Sequence, residues 1–313
     1  MKIVQVHPNC GIPVPPPTWG AIEKIVWEFK CNLDLLGQDT DIKYVQGIGK
    51  GAYDIVHCHV ANLAIQLAEK GIPYIYQLHD HHVYHYGKDS HVFKQNYEAV
   101  NNSILSLMPA KYLVDYFDNP KCVYFSHGVN IDEYKPNPNI KKTREFIMLA
   151  NNGLAGDGGF DRKGFSYGVA LADLVDKEIT IAGPSDNKGW MNSHLHLFKN
   201  KNLNMVFDPS LEEVVELFNS HKIFLHPTML EAGHPNLTMV EAAACGLPII
   251  ADWEHNNDFH GAYRAPRDVY KMLDGYNDII DNYEHYSKSI LNTAQELSWY
   301  NRSKELLILY KSL

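Results

Sequence analysis

The chain has no long apolar run, no closely spaced cysteines and no tandem repeat, and each absence removes a class of protein. In 313 residues no stretch approaches the ~20 consecutive apolar residues that span a bilayer. The mean hydropathy of −0.30 agrees, so a transmembrane helix is not expected. Five cysteines (Cys10, Cys31, Cys58, Cys122 and Cys245) are scattered, odd in number and without a C-x-x-C pair. That pattern fits reduced thiols better than a disulfide framework. Positive charge is in deficit: 28 Lys and Arg against 37 Asp and Glu leave a net −9. This argues against a protein that coats nucleic acid or anionic membrane. A hydrophobic fraction of 45% with 21% charged residues excludes disorder. The opening MKIVQVHPNC reads as a first strand rather than a signal peptide, and a cytoplasmic location is expected. What is abundant is histidine, 17 in all.

Short apolar runs alternate with amphipathic helices. KIVQV (2–6), DIKYV (41–45), DIVHCHV (54–60), YIYQLH (74–79), SILSL (103–107) and CVYFS (122–126) predict buried strands. AIEKIVWEFKCNLDLLG places Ile22, Ile25, Val26, Phe29, Leu33 and Leu36 at spacings of three and four, and Gly37 stops that helix. The polar stretch YKPNPNIKKTRE (134–145) reads as a linker. A second series follows, with strands at FIMLA (146–150), ITIAG (179–183), NMVF (204–207), KIFLH (222–226) and PIIAD (248–252). Its helices fall near 164–174, 211–219 and 237–245, and the tail is helical from about Pro266. The expected fold is α/β, with two Rossmann-like halves facing each other across a cleft. The boundaries are 1–140 for a first α/β domain, 141–290 for a second and 291–313 for a closing helix.

Two acidic or glycine-rich motifs carry little. DTD (39–41) reads as a polar turn rather than a cation site. GIGKGA (47–52) matches a dinucleotide fingerprint but precedes a strand, not the helix such a fingerprint needs. Histidines cluster at HCH (57–59) and HDHHVYHY (79–86). His57 and His59 share a strand face, which suits zinc, but nothing fixes a third convergent ligand. His79, with Asp80 beside it, sits at the carboxyl end of a parallel strand, where open α/β sheets bind ligands. Both acid–base work and a structural role remain open for it.

The densest signal is HPTMLEAGHPNLTMVEAAACGLPIIAD (226–252). A strand leads into a turn, and a helix starts near Asn236, Leu237 and Thr238. Backbone N–H groups at such a start suit phosphate. Glu231 before the turn and Glu241 inside the helix suit sugar and ribose hydroxyls. The plain alternative is capping plus a solvated helix face. DRKGF (161–165) follows the glycine-rich NNGLAGDGG (151–159). Arg162 and Lys163 there would reach a diphosphate, or form a solvated surface pair.

Together these motifs resemble the GT-B glycosyltransferases, in particular the retaining group called family 4. PPPTWGAIE resembles the P-x-x-GG-x-E element, with Gly20 and Ala21 in the glycine positions and Glu23 following. DIVHCHV, YQLHD, FSHGVNIDEYKP, DRKG, ITIAGPSD, the 226–252 block and SWYNRSKELLILY resemble further family elements in the family's order. The resemblance implies that Gly20 and Ala21 approach the distal phosphate and that Lys163 and Arg162 bind the diphosphate. It implies Gly183 near the nucleotide, Glu231 on the transferred sugar, Glu241 on the ribose, and the N–H groups of Asn236, Leu237 and Thr238 on phosphate or sugar. His79 would lie near the reacting centre. Three departures stand out: nine residues instead of seven separate Glu231 from Glu241, Ala21 replaces a glycine, and Asn151 and Asn152 stand where a basic residue is usual.

The expected activity is therefore hexosyl or pentosyl transfer from a nucleotide-diphosphate sugar to a hydroxyl, with retention, no metal and no cofactor. The acceptor would be a glycan, a lipid-linked sugar or a small molecule. One alternative keeps the fold and acts on hydroxylated bases of viral DNA, using the basic strip KKTR (141–144). Another is an epimerase or hydrolase on the same fold. An alternative of another class is a His-rich metal-binding protein.

Overall fold

The computed structural model of the protein describes residues 1–17, 20–150, 161–185, 202–229, 231–252 and 259–313. In chain order the described elements are β1 (Lys2–Val6), α1 (Ala21–Leu35), β2 (Asp39–Lys43), β3 (Ile55–Cys58), α2 (Ala61–Glu69), β4 (Ile75–Gln77), α3 (His82–His85), α4 (His91–Asn102), β5 (Leu105–Met108), α5 (Lys111–Phe117) and β6 (Cys122–Tyr124). There follow β7 (Arg144–Leu149), α6 (Phe165–Leu174), β8 (Ile179–Gly183), β9 (Leu203–Phe207), α7 (Leu211–Ser220), β10 (His221–His226), α8 (Leu237–Ala244), β11 (Ile249–Ala251), β12 (Tyr263–Arg264), α9 (Val269–Asp281), α10 (Tyr283–Glu296) and α11 (Trp299–Lys311). The chain forms two compact units. Unit 1 holds Met1–Gly128, Glu231–Leu237 and Leu297–Leu313, and unit 2 holds the remainder between Val129 and Glu296. The division falls at Gly128, where the sequence suggested a boundary near residue 140.

The sheet of unit 1 is parallel, in the order β2-β1-β3-β4-β5-β6. Strand residues alternate between its two faces. Val4, Val6, Val56, Cys58, Tyr74, Tyr76 and Leu78 feed one core with α2 and α4. Ile3, Ile55, Ile75 and Leu107 feed the other, against Phe29 of α1 and Trp299, Leu306 and Tyr310 of α11. By the same alternation Gln5, His57 and Gln77 fall on this second face, nearer the carboxyl ends of their strands. All three are buried.

The sheet of unit 2 is also parallel, in the order β12-β11-β10-β7-β8-β9. Its core joins Phe146 and Met148 of β7, Ile179 and Ile181 of β8 and Ile223 and Leu225 of β10 to Phe165 and Leu171 of α6. In each sheet the strand order reverses once beside the first strand of the unit, β1 or β7. Such switch points open a crevice at the strands' carboxyl ends, which is where open α/β sheets hold ligands.

Three sequence readings need correction. DTD (39–41) is not a turn: it begins β2. As an edge strand paired only to β1, β2 can carry polar residues, and Asp41 accepts from Tyr53 Oη at 3.2 Å. The stretch 134–143 is not a loose linker. Asn219 of α7 accepts from Asn137 N at 2.7 Å and donates to Lys135 O at 3.1 Å, and Tyr134 is buried. The two-residue strand β12 went unpredicted because it is too short for an alternating pattern.

Trp299 fixes the seat of α11 in unit 1. Its ring meets Phe29 edge-on at 5.3 Å, and a Cβ on Gly128 would lie 2.7 Å from the indole. Trp299→Ala removes a fully buried ring and is expected to destabilise unit 1 by about 3–5 kcal/mol, read as a lower urea midpoint. A loss of less than about 1 kcal/mol, from the midpoint shift times the m-value, would show that the ring is not central to the core.

Candidate functional site

In unit 1 the carboxyl ends of β1, β3 and β4 carry a hydrogen-bonded row of buried polar groups. Tyr310 Oη of α11 lies 2.7 Å from His57 Nδ1 and accepts from Gln5 Nε2 at 3.4 Å. Gln5 Oε1 lies 2.8 Å from His59 Nε2, and His59 Nδ1 lies 2.9 Å from His79 Nε2. The His79 ring stacks on His127 at 6.2 Å. His79 Nδ1 and both ring nitrogens of His127 are buried with no hydrogen-bond partner among the described residues. Desolvation lowers the His57 pKa to about 3 and that of His127 to about 4, and it holds His59 and His79 well below the ordinary value. The row is therefore neutral, and each ring offers one donor and one acceptor.

The segment 231–237 belongs to the same unit and is held through its backbone. Tyr112 Oη donates to Glu231 O at 2.8 Å, Tyr124 Oη donates to His234 O at 2.7 Å, and His234 N donates to Pro109 O at 3.0 Å. A Cβ on Gly233 would sit 2.5 Å from the His127 ring, so this position must be glycine. Glu231 also acts on His127, raising its pKa against the larger effect of burial. His127 is a site residue that the sequence reading missed. Its signal was present, for FSHGVN ends β6 as YQLHD ends β4, each placing a histidine just past a parallel strand.

In unit 2 the DRKG turn sits beside the switch point of β7 and β10. Asp161 caps α6 by accepting from Phe165 N at 3.0 Å, Ser166 N at 2.8 Å and Ser166 Oγ at 2.6 Å. That carboxylate occupies the anion-favouring end of α6. The backbone is tied to the loop after β10: Met229 N donates to Arg162 O at 3.0 Å, and Arg267 Nη2 donates to Asp161 O. Gly164 has φ +71°, and any Cβ there would collide with Pro227 O. On this turn Lys163 is 8% exposed, and Arg162 is partly buried.

The predicted residues thus fall into two groups. Unit 1 holds Gly20, Ala21, His79, Asp80, Glu231, Asn236 and Leu237, while unit 2 holds Arg162, Lys163, Gly183, Thr238 and Glu241. Gly20 has φ 146° before α1, with the Glu23 carboxylate 3.0 Å from where its Cβ would be. Ala21 is exposed at the first position of α1. Gly183 ends β8, and its carbonyl accepts from Asp208 N at 2.9 Å. Glu241 is buried within α8. Asp80 is exposed and serves its own turn, accepting from His82 N at 2.9 Å. Asp80, His81 and His82 each offer a ligand atom within 4.8 Å of the others, but that cap already uses one Asp80 oxygen. His59 has both nitrogens engaged, which turns HCH from a zinc pattern into part of the polar row. Thr18, Trp19, the NNGLAGDGG stretch with Asn151 and Asn152, and residues 186–187 lie outside the described residues.

Two parallel six-stranded sheets, each with one switch point and flanking helices, define the GT-B fold of glycosyltransferases. Solved structures agree over the whole chain. Sucrose-phosphate synthase from Thermosynechococcus elongatus matches with a TM-score of 0.79 at 13% identity, covering 100% of this chain and 98% of that one. HepE of Anabaena in complex with UDP-glucose matches with a TM-score of 0.76 at 12% identity and 100% of both chains. AviGT4, a glycosyltransferase involved in avilamycin A biosynthesis, matches with a TM-score of 0.73 at 14% identity, over 99% and 97% of the chains. A family profile described as glycosyl transferase-like matches residues 168–304. No curated protein matches the sequence. Among the described residues no helix is long and apolar enough to cross a membrane.

Neutral buried histidines have a consequence for pH. His57, His59, His79, His127 and His221 all have folded pKa values below the unfolded 6.5. Below pH 6.5 the unfolded chain binds more protons than the folded one, so their stabilisation is complete above that pH and falls as pH drops. Each ring removes about 1.4 kcal/mol per pH unit until its folded pKa is reached. Acid unfolding followed by tryptophan fluorescence is expected to take place between pH 6.5 and about 4, with uptake of several protons. A transition that takes up one proton would contradict this assignment.

Proposed function

We propose that this protein is a glycosyltransferase that moves a hexosyl or pentosyl group from a nucleotide-diphosphate sugar to an acceptor hydroxyl, with retention and without a metal. The observation that carries this reading is Lys163, a buried cation on a glycine-locked turn beside the switch point of unit 2. The GT-B fold and the glycosyl transferase-like profile over residues 168–304 support it. HepE, a structural neighbour, was solved with UDP-glucose, which supports a nucleotide-sugar donor.

Departure of a nucleoside diphosphate from an anomeric carbon builds negative charge on the leaving oxygens and positive charge on the ring. Lys163 and Arg162 meet the first with fixed cations, which act strongest where water is excluded. Asp161 fills the anion position of α6, and phosphate or sugar is assigned to the start of α8 at Asn236, Leu237 and Thr238. Glu241 accepts from the ribose hydroxyls and Glu231 from those of the transferred sugar. Gly20, Ala21 and Gly183 let backbone approach the phosphates and the nucleotide, and His79, with Asp80 beside it, attends the reacting hydroxyl. With cations and helix N–H groups in these roles, a divalent metal is not needed.

A sugar or small-molecule acceptor is favoured over DNA. In the KKTR strip, Lys142 Nζ is turned onto His221 O at 3.1 Å, and burial lowers its pKa to about 8. That lysine is a poor phosphate contact.

Lys163→Ala and Glu231→Ala are each expected to lower turnover by about 10²–10³-fold with the circular dichroism spectrum unchanged. Activity should persist in EDTA, and the product should keep the donor's anomeric configuration. A thermal-shift panel of nucleotide sugars identifies the donor, since a ligand bound only by the folded state raises its melting temperature. Near wild-type turnover in both variants, or no donor that shifts the melt, would sink the assignment.

A further inference from the structure

The polar row of unit 1 has a direction. Gln5 donates through Nε2 to Tyr310 Oη at 3.4 Å and accepts at Oε1 from His59 Nε2 at 2.8 Å. An amide oxygen only accepts, so His59 carries its proton on Nε2. The ring is neutral because burial lowers its pKa. Its Nδ1 is then a bare lone pair, and the 2.9 Å contact with His79 Nε2 places a proton on that nitrogen of His79. Since His79 is also neutral, its Nδ1 is unprotonated. That atom is buried and has no hydrogen-bond partner among the described residues.

We infer that Gln5 and His59 are positioning residues that hold His79 in the Nε2–H tautomer and leave its Nδ1 as a pure hydrogen-bond acceptor. The direction starts at Tyr310. Its hydroxyl, 2.7 Å from His57 Nδ1, accepts from Gln5 Nε2 at 3.4 Å. That orients the Gln5 amide, and the amide orients the two histidines beyond it. The sequence places the parts where this works. Gln5 and His57 are register partners on β1 and β3, on the face that α11 covers, and His59 and His79 follow the ends of β3 and β4.

The direction sets what His79 accepts. A lone pair takes a hydroxyl or N–H donor and repels a phosphate oxygen, which is itself only an acceptor. Under the glycosyl-transfer reading, on which this one step rests, the group is a hydroxyl of the sugar or of the acceptor. Phosphate recognition then falls to other residues. The opposite tautomer would make His79 a donor at Nδ1 and reverse that preference.

The test reads proton position directly and uses no substrate. In ¹⁵N-labelled full-length protein, a slowly exchanging imidazole proton is expected on His79 Nε2, with a through-hydrogen-bond ¹⁵N–¹⁵N coupling to His59 Nδ1. His79→Gln assigns the signal by removing it. Gln5→Leu is expected to abolish the coupling and leave His79 in tautomer exchange, while His59→Asn, whose amide oxygen can accept at the Nδ1 position, restores a single Nε2–H form. A proton found on His59 Nδ1, or a coupling unchanged in a folded Gln5→Leu, overturns the inference. The wild-type spectrum decides the direction even where Gln5→Leu does not fold. If no transfer activity is ever found, the measured direction still stands, and only the identity of the hydroxyl falls with the proposed function.

Discussion

Tyr310 joins the last helix of the chain to its first strand with one hydroxyl, and the polar edge of unit 1 depends on it. Gln5, His57 and Gln77 lie on a sheet face that they share with Ile3, Ile55, Ile75 and Leu107. An unpaired amide or imidazole there would cost about 1–3 kcal/mol. α11 brings an apolar stripe to cover the face and one phenol that meets Gln5 Nε2 and His57 Nδ1. A phenol can both accept and donate, so it can end a row that neither apolar packing nor a charged side chain could end. His59 and His79 inherit their orientation from it. Packing of the closing helix and chemistry at the strand ends are therefore one constraint.

A second constraint is close backbone approach at the strands' carboxyl ends. Gly164 admits Pro227 O, and Gly233 admits the His127 ring. Neither position can carry a Cβ in the present geometry, so each glycine fixes a loop by what it lacks. In unit 2 this ties the DRKG turn to the loop after β10, while Asp161 anchors the turn to α6. Arg162 and Lys163 thus stand on a turn held by its backbone, as the charge stabilisation proposed for them requires. In unit 1 the same device sets Glu231 and His127 in one electrostatic neighbourhood.

The fold was legible because buried parallel strands declare themselves as short apolar runs, and helices by spacings of three and four. All but one described strand overlap a predicted run. The misreadings share a cause: they are places where backbone groups or neighbours decide. DTD has no apolar alternation because β2 is an edge strand and needs none. The stretch 134–143 looks like a linker because its hold on α7 comes from the Asn219 side chain, bonded to Asn137 N and Lys135 O, which leaves no hydrophobic pattern. The site was legible by residue type, as histidines and a lysine at strand ends, but not by grouping. Between Glu231 and Glu241 the chain is bound to Tyr112, Tyr124 and Pro109 through main-chain atoms of Glu231 and His234. Main-chain bonding has no sequence signature, so the spacing could be seen as unusual but not explained. His127 had a signal in its place just past β6, but its contacts with Gly233 and His79 lie far away in sequence.

The surplus of histidine now has a physical reason. A parallel sheet that is apolar on both faces must still present polar groups where its strands end, and those groups are buried. Carboxylates or lysines there would arrive charged, and desolvation would have to be met by a counter-ion. Neutral imidazole needs none, and it alone among the titratable side chains both donates and accepts from fixed positions in one rigid ring. A row of such rings passes hydrogen-bond direction from a helix to a strand end without placing charge in the core. Engagement of both His59 nitrogens argues against zinc at HCH, for the atoms that would bind a metal already carry the row. What makes the histidines poor metal ligands here is what makes His79 a defined acceptor at the edge of the sheet.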